Sequence, residues 1–308
     1  MRNSQADKAI ASRWAALVFA LASPAGAQFR AAPVTEPVPP AVISDPVADP
    51  ADLPRMIMSP MPSHGTNIPA MFYTAGPGRH PTLILFTGLP GAEINSDLIY
   101  AARRDGWNVV TFHYRGSWGT PGKFSLGNCL EDGAAAVAWV RNPGPQLASF
   151  VDPARIVVGG HSTGGWVAAY VAAHDPSILG AALISGAYPS ISHGAPRDQL
   201  LEFSKSLIEV AGMQLLNATP DELADEQVHA DAGWELGPLG KAFGHRSTLV
   251  VTANDRLQPF DDEFADTAVK AGARVTRTHF DTNHGYNDRR IALAATLVRW
   301  LDTIVAPQ

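Results

Sequence analysis

Residues 156–166 read Ile156-Val157-Val158-Gly159-Gly160-His161-Ser162-Thr163-Gly164-Gly165-Trp166, and this stretch decides the fold. An apolar run ends in Gly-His-Ser-Thr-Gly, and an alanine-rich helical pattern follows. That is a G-x-S-x-G motif in strand–turn–helix context. A turn this sharp strains the backbone at Ser162 and leaves its hydroxyl exposed. Gly160 and Gly164 keep neighbouring side chains out of the crowded turn. The helix that follows aims its N-terminus at the serine, where free N–H groups can stabilise a developing anion. The five-residue pattern alone occurs by chance; the flanking strand and helix give it weight.

Working outward, apolar runs alternate with helical patterns. Strands are expected at Ile68–Thr74, Thr82–Thr87, Asn108–Tyr114, Arg155–Gly159, Ala181–Ser185, Thr248–Ala253 and Arg274–Phe280. Several are continuously hydrophobic, which suits a parallel sheet covered by helices on both faces. Helices fit between them at Ile94–Asp105, Leu126–Arg141, Gly164–His174, Asp261–Ala271 and Asp288–Ile304. Residues 186–246 break the alternation. They carry two polar helical patterns, Arg197–Leu216 and Pro220–Val228, and no strand. An insertion of this length is too long for a loop. It leaves the sheet at the carboxyl end of a strand, where ligands bind, and is read as a helical cap.

A serine hydroxyl is a poor nucleophile without a base. On this turn the chain order of the partners is serine, acid, histidine. The strand Thr248–Ala253 runs into Asn254-Asp255, and Phe280 is followed by Asp281-Thr282-Asn283-His284. Both ends can converge on Ser162, so Asp255 and His284 are the candidate acid and base. Asp281 is the competing acid, but its place three residues from His284 favours a local turn role. An oxyanion needs two donors. Leu83–Gly91 reads LILFTGLPG, a strand running into a glycine loop, so the backbone N–H of Leu89 is paired with that of Thr163. Pro90 has no N–H and cannot serve. Tyr114, Trp118, Trp166 and Tyr188, near strand and helix ends, are candidate walls of a substrate pocket, although aromatics in such places are more often simply core.

From about Arg55 onward the chain resembles the α/β-hydrolase superfamily. The resemblance rests on GHSTGG, on the acid after Thr248–Ala253, and on His284 before the last helix. Phe112–Ser125, FHYRGSWGTPGKFS, is similar to the YRGS segment of the prolyl-oligopeptidase-like and dienelactone-hydrolase-like branches. The resemblance implies a mostly parallel sheet with helices on both faces. It implies hydrolysis of small carboxylic esters through an acyl-enzyme, with no metal or cofactor. Peptide or amide cleavage and acyl transfer are the neighbouring alternatives. A non-catalytic binding protein of the same fold is the reading that an intact serine, aspartate and histidine argue against. Many relatives open the oxyanion loop with His-Gly, whereas this chain has Thr87-Gly88.

The 308 residues carry a formal net charge of −6, which offers no basic surface to nucleic acid. Residues 1–27 have the order of an export signal. Arg2, Lys8 and Arg13 precede the apolar run Trp14–Ala22, and Ala25-Gly26-Ala27 forms a small-residue cleavage site before Gln28. That run is far shorter than the roughly 20 residues a bilayer span needs, so cleavage, export and no lasting membrane insertion are expected. Seven prolines between Arg30 and Pro54 indicate a leader over 28–54, with the hydrolase unit at 55–308. Cys129 is the single cysteine and is expected to be a buried, inert thiol.

Overall fold

The computed structural model describes residues 37–47, 50–51, 53–187, 195–210 and 215–305. The export-signal reading of residues 1–27 and the candidate Tyr188 lie outside these residues.

Eight strands form one sheet in the order β1-β2-β4-β3-β5-β6-β7-β8. They are β1 (Met56–Ser63), β2 (Thr66–Tyr73), β3 (His80–Phe86), β4 (Asn108–Phe112), β5 (Val151–His161), β6 (Gly180–Ile184), β7 (Ser247–Ala253) and β8 (Arg274–Phe280). The pairs β1–β2 and β2–β4 are antiparallel, and the remaining six strands run parallel. Every strand expected from the apolar runs is present. β1 is additional. Its MIMSPMPS alternates in exposure and contains Pro60 and Pro62. Proline cannot donate to a ladder, and an edge strand is where it is tolerated.

The helices are α1 (Pro40–Ile43), α2 (Ser96–Arg104), α3 (Leu126–Arg141), α4 (Thr163–His174), α5 (Arg197–Val210), α6 (Pro220–Val228), α7 (Leu236–Leu239), α8 (Gln258–Lys270) and α9 (Arg290–Val305). Side chains alternate across a strand, and two cores result. Ile84, Phe86 and Val158 face α3, α4 and α8, packing with Leu130, Val167 and Phe264. Leu83, Leu85 and Val157 face α2 and α9, packing with Leu98, Leu297 and Trp300. Burial on both faces is why these strands read as continuous apolar runs.

The expected proline-rich leader is partly docked. Ala41 and Val42 pack on the α2–α9 core. The Arg104 guanidinium donates to the carbonyls of Ala41 (2.5 Å) and Val42 (3.1 Å). Packing therefore begins before Arg55.

Between β6 and β7 the described residues hold helices and short 3₁₀ turns and no strand. The first cap helix is described over Arg197–Val210, and Leu216, the expected end of its pattern, lies instead in an isolated bridge to Ser117. The cap is fixed to the carboxyl end of the sheet. Glu226 on α6 accepts from the first free amides of α3, Leu126 N (2.7 Å) and Gly127 N (2.8 Å). A carboxylate at a helix N-terminus satisfies orphan donors and offsets the positive dipole end. Trp166 on α4 donates from Nε1 to the Trp234 carbonyl at 2.7 Å.

Candidate active site

β5 delivers Ser162 in a conformation that non-glycine residues rarely adopt, φ 58° and ψ −128°. The strain is held by hydrogen bonds on both sides. The Ser162 amide donates to Ile184 O, and its carbonyl accepts from Gly165 N and Ala187 N, each at 2.9 Å. The glycines are obligatory by distance. A Cβ on Gly160 would lie 2.3 Å from the Gly164 carbonyl carbon, and one on Gly164 would lie 2.2 Å from Phe86 O. Thr163 is the first residue of α4, so its N–H has no intrahelical partner. The loop after β3 passes directly beside the serine. A Cβ on Gly88 would come within 3.1 Å of Ser162 Cβ.

His284 and Asp255 come together. His284 Nδ1 lies 2.9 Å from Asp255 Oδ2. Asp255 Oδ1 accepts from Leu257 N (3.0 Å) and Gln258 N (3.2 Å), the amides of the turn entering α8. Burial would raise this carboxyl, but the hydrogen bonds from His284, Ser185 and Leu257 outweigh it and hold the pKa below the ordinary carboxylate value. The competing acid, Asp281, instead accepts from the Asn254 side chain. The loop carrying His284 is tied down by Arg290, which donates to Gly285 O (3.3 Å) and pairs with Asp97 on α2.

Four residues around this pair escaped the sequence reading. His161 donates from Nε2 to the His284 carbonyl at 2.7 Å. Ser185, with φ 42°, bonds Asp255 and lies 2.7 Å from the Tyr286 hydroxyl, which donates to Val251 O at 3.1 Å. Asp261 is fully buried and accepts from Gly186 N at 3.0 Å. Burial, and then the charge on Asp255, push its pKa well above the ordinary carboxylate value. Ser185 and Tyr286 had a signal: one ends the strand before the cap, and the other lies two residues past His284.

The aromatic candidates divide. Tyr114 and Trp166 are 1% and 0% exposed and do not line an open pocket. Tyr114 donates to Thr87 O at 3.1 Å within the core. A residue at a strand end or in the first helical turn faces whichever side the backbone dictates, and here that is inward. Trp118 is 37% exposed at the mouth of the glycine loop. Cys129 is buried, with its thiol pushed up by burial. Among the described residues, no group of three or more His, Cys, Asp or Glu could hold a metal ion, and no helix is long and apolar enough to cross a membrane.

Comparison with known proteins agrees with this architecture. A metagenomic thermostable carboxylesterase, EstE1, superposes with a TM-score of 0.61 at 24% identity, covering 87% of this chain and 92% of its own. A hyperthermophilic esterase from the archaeon Pyrobaculum calidifontis superposes at 0.57 with 20% identity, covering 82% and 87%. An uncharacterized protein of Mycobacterium tuberculosis is 34% identical over 105 residues, 34% of this chain. The match spans only 35% of that relative's length. Residues 96–287 match the profile of the alpha/beta hydrolase fold. That stretch is more than half of the chain and contains Ser162, Asp255 and His284, and the chain belongs to the α/β-hydrolase fold family.

Proposed function

We propose that this protein hydrolyses small carboxylic esters through a Ser162-bound acyl-enzyme. The observation that carries the reading is the His284 Nδ1–Asp255 Oδ2 contact of 2.9 Å, with the His284 carbonyl held by His161, the residue that precedes the strained Ser162. The ionised Asp255 fixes the tautomer with the proton on Nδ1, leaving Nε2 as the base. His284 takes the Ser162 proton as Oγ attacks the acyl carbon. The Leu89 and Thr163 amides receive the oxyanion. The proton passes from His284 to the departing alcohol. Water, activated by the same base, then releases the acid and restores the serine. The structural similarity to carboxylesterases supports an ester over an amide as substrate.

The test is covalent. A fluorophosphonate should add one phosphonyl group at Ser162, located by peptide mass spectrometry, and abolish p-nitrophenyl ester turnover. Full activity of Ser162→Ala, with labelling at another serine, would overturn the proposal.

A further inference from the structure

We infer that Trp118 is the positioning residue that holds the glycine loop after β3 against Ser162 and ties that loop to the cap. The inference rests on the ester-hydrolase reading and goes beyond it, because it assigns a function to a residue outside the Ser–His–Asp set.

Three contacts join the indole to the loop. Trp118 Nε1–H donates to the Pro90 carbonyl. Its ring stacks on His113, with centroids 5.8 Å apart and planes at 26°. Its edge fits against Gly91, where a Cβ would lie 3.1 Å from both Cδ1 and Nε1. Gly91 has φ +96°, a conformation that also favours glycine. At the other end of the same short loop, Gly88 abuts Ser162. The Leu89 amide lies between these two fixed points. A tug on Pro90 is therefore transmitted to the proposed oxyanion donor across one residue.

Trp118 is itself held firmly. It adopts φ 50°, which a bulky residue occupies only when its surroundings enforce it. Its amide donates to Leu215 O of the cap at 3.2 Å. The neighbouring Asn217 amide donates to Gly116 O at 2.6 Å, and Phe124 N donates to Asn217 O at 3.1 Å. Beneath this turn, Arg115 Nε pairs with the fully buried Asp132 at 2.6 Å. Asp132 also accepts from Arg115 N (2.8 Å) and Ser63 Oγ (2.6 Å). The YRGS segment is thus a rigid base, and the indole is the arm extending from it to the catalytic loop. A residue that merely walled the pocket would need no donor aimed at a loop carbonyl.

The experiment compares wild type with Trp118→Phe, which keeps a ring but removes the N–H. A second variant carries benzothienylalanine at position 118, which removes the N–H with almost no change of shape. The readouts are kcat and KM on p-nitrophenyl butyrate, affinity for a trifluoromethyl ketone, and thermal midpoint. Losing one oxyanion donor outright costs on the order of 10² to 10³ in rate, so misaligning one should lower kcat about 10-fold. KM should stay within roughly 3-fold, because the ground state does not use the hole. Affinity for the ketone, whose adduct carries the oxyanion, should fall in step with kcat/KM at an unchanged midpoint. Wild-type kcat in both variants, or a raised KM with kcat intact, would overturn the inference alone. Wild-type protein with no ester turnover and no label at Ser162 would overturn both the inference and the reading beneath it.

Discussion

His161 Nε2 lies 2.7 Å from the carbonyl oxygen of His284, with the two imidazole rings 4.6 Å apart between centroids. A carbonyl can only accept, so Nε2 carries the proton. Burial, followed by the proximity of His284, lowers the pKa of His161 to about 3. The ring is therefore neutral at pH 7. The variable position of the G-x-S-x-G motif thus supplies an uncharged peg beside the proposed base, His284. It fixes the His284 backbone without opposing the positive charge that the proposed mechanism places on that imidazole.

That arrangement predicts a difference between two substitutions. His161→Gln keeps a side-chain donor and should retain kcat within a few-fold. His161→Leu removes it and should lower kcat about 10-fold or more, since small displacements of a catalytic group are costly. The acid limb of the kcat profile should be the same in wild type and His161→Gln, because His161 does not titrate there. Stability should differ. The folded pKa lies below the unfolded value, so this group's contribution is present above about pH 6.5 and is lost as pH falls toward 3. Thermal midpoints measured from pH 7 down to pH 4 should therefore decline less steeply in His161→Gln. Equal slopes would contradict the assignment.

The two candidate acids are separated by kcat against stability. Asp255 meets the imidazole, whereas Asp281 bonds the side chain of Asn254. Asp255→Asn should cut kcat by up to about 10⁴, by analogy with the serine-protease triad, because the amide no longer enforces the tautomer. Asp281→Asn should leave kcat near wild type and shift the thermal midpoint by no more than a surface polar contact warrants. Loss of turnover in a folded Asp281→Asn protein, with Asp255→Asn near wild type, would reverse the roles.

How much of this was legible in the sequence follows from what each feature depends on. The parallel strands announced themselves because burial on both faces demands uninterrupted apolar residues. Ser162 and Asp255 were legible because the motif and the strand end are local patterns. β1 was hidden because Pro60 and Pro62 imitate a linker, and only its edge position makes them tolerable. The His161–His284 bond joins a side chain to a backbone carbonyl across 123 residues, and no spacing rule encodes that. Tyr114 and Trp166 stayed open between pocket and core because an aromatic at a strand or helix end has the same signature in either place, and their burial assigns them to the core.

A carboxyl pair far from the motif predicts the response of stability to pH. Asp105 follows α2 and is half-buried; Asp302 lies on α9, which packs against α2. Burial, together with the charge and hydrogen bond of Asp302, raises the Asp105 pKa to about 7. The carbonyl end of α2 works in the same direction, since a negative charge is unfavourable there. The folded pKa lies above the unfolded one, so the folded protein retains a proton that the unfolded chain has released above about pH 4. The associated stability is present in acid and is lost as pH rises through 7. After discounting for solvent screening, the loss should be on the order of 1–2 kcal/mol. Asp105→Asn resembles the protonated carboxyl and cannot ionise. Its thermal midpoint should match wild type near pH 3.5 and exceed it by a margin that grows up to about pH 7 and then holds to pH 8.5, with ester turnover at pH 8.5 unchanged. Midpoints that fall in parallel over that range would show that Asp105 ionises as freely in the folded chain as in the unfolded one.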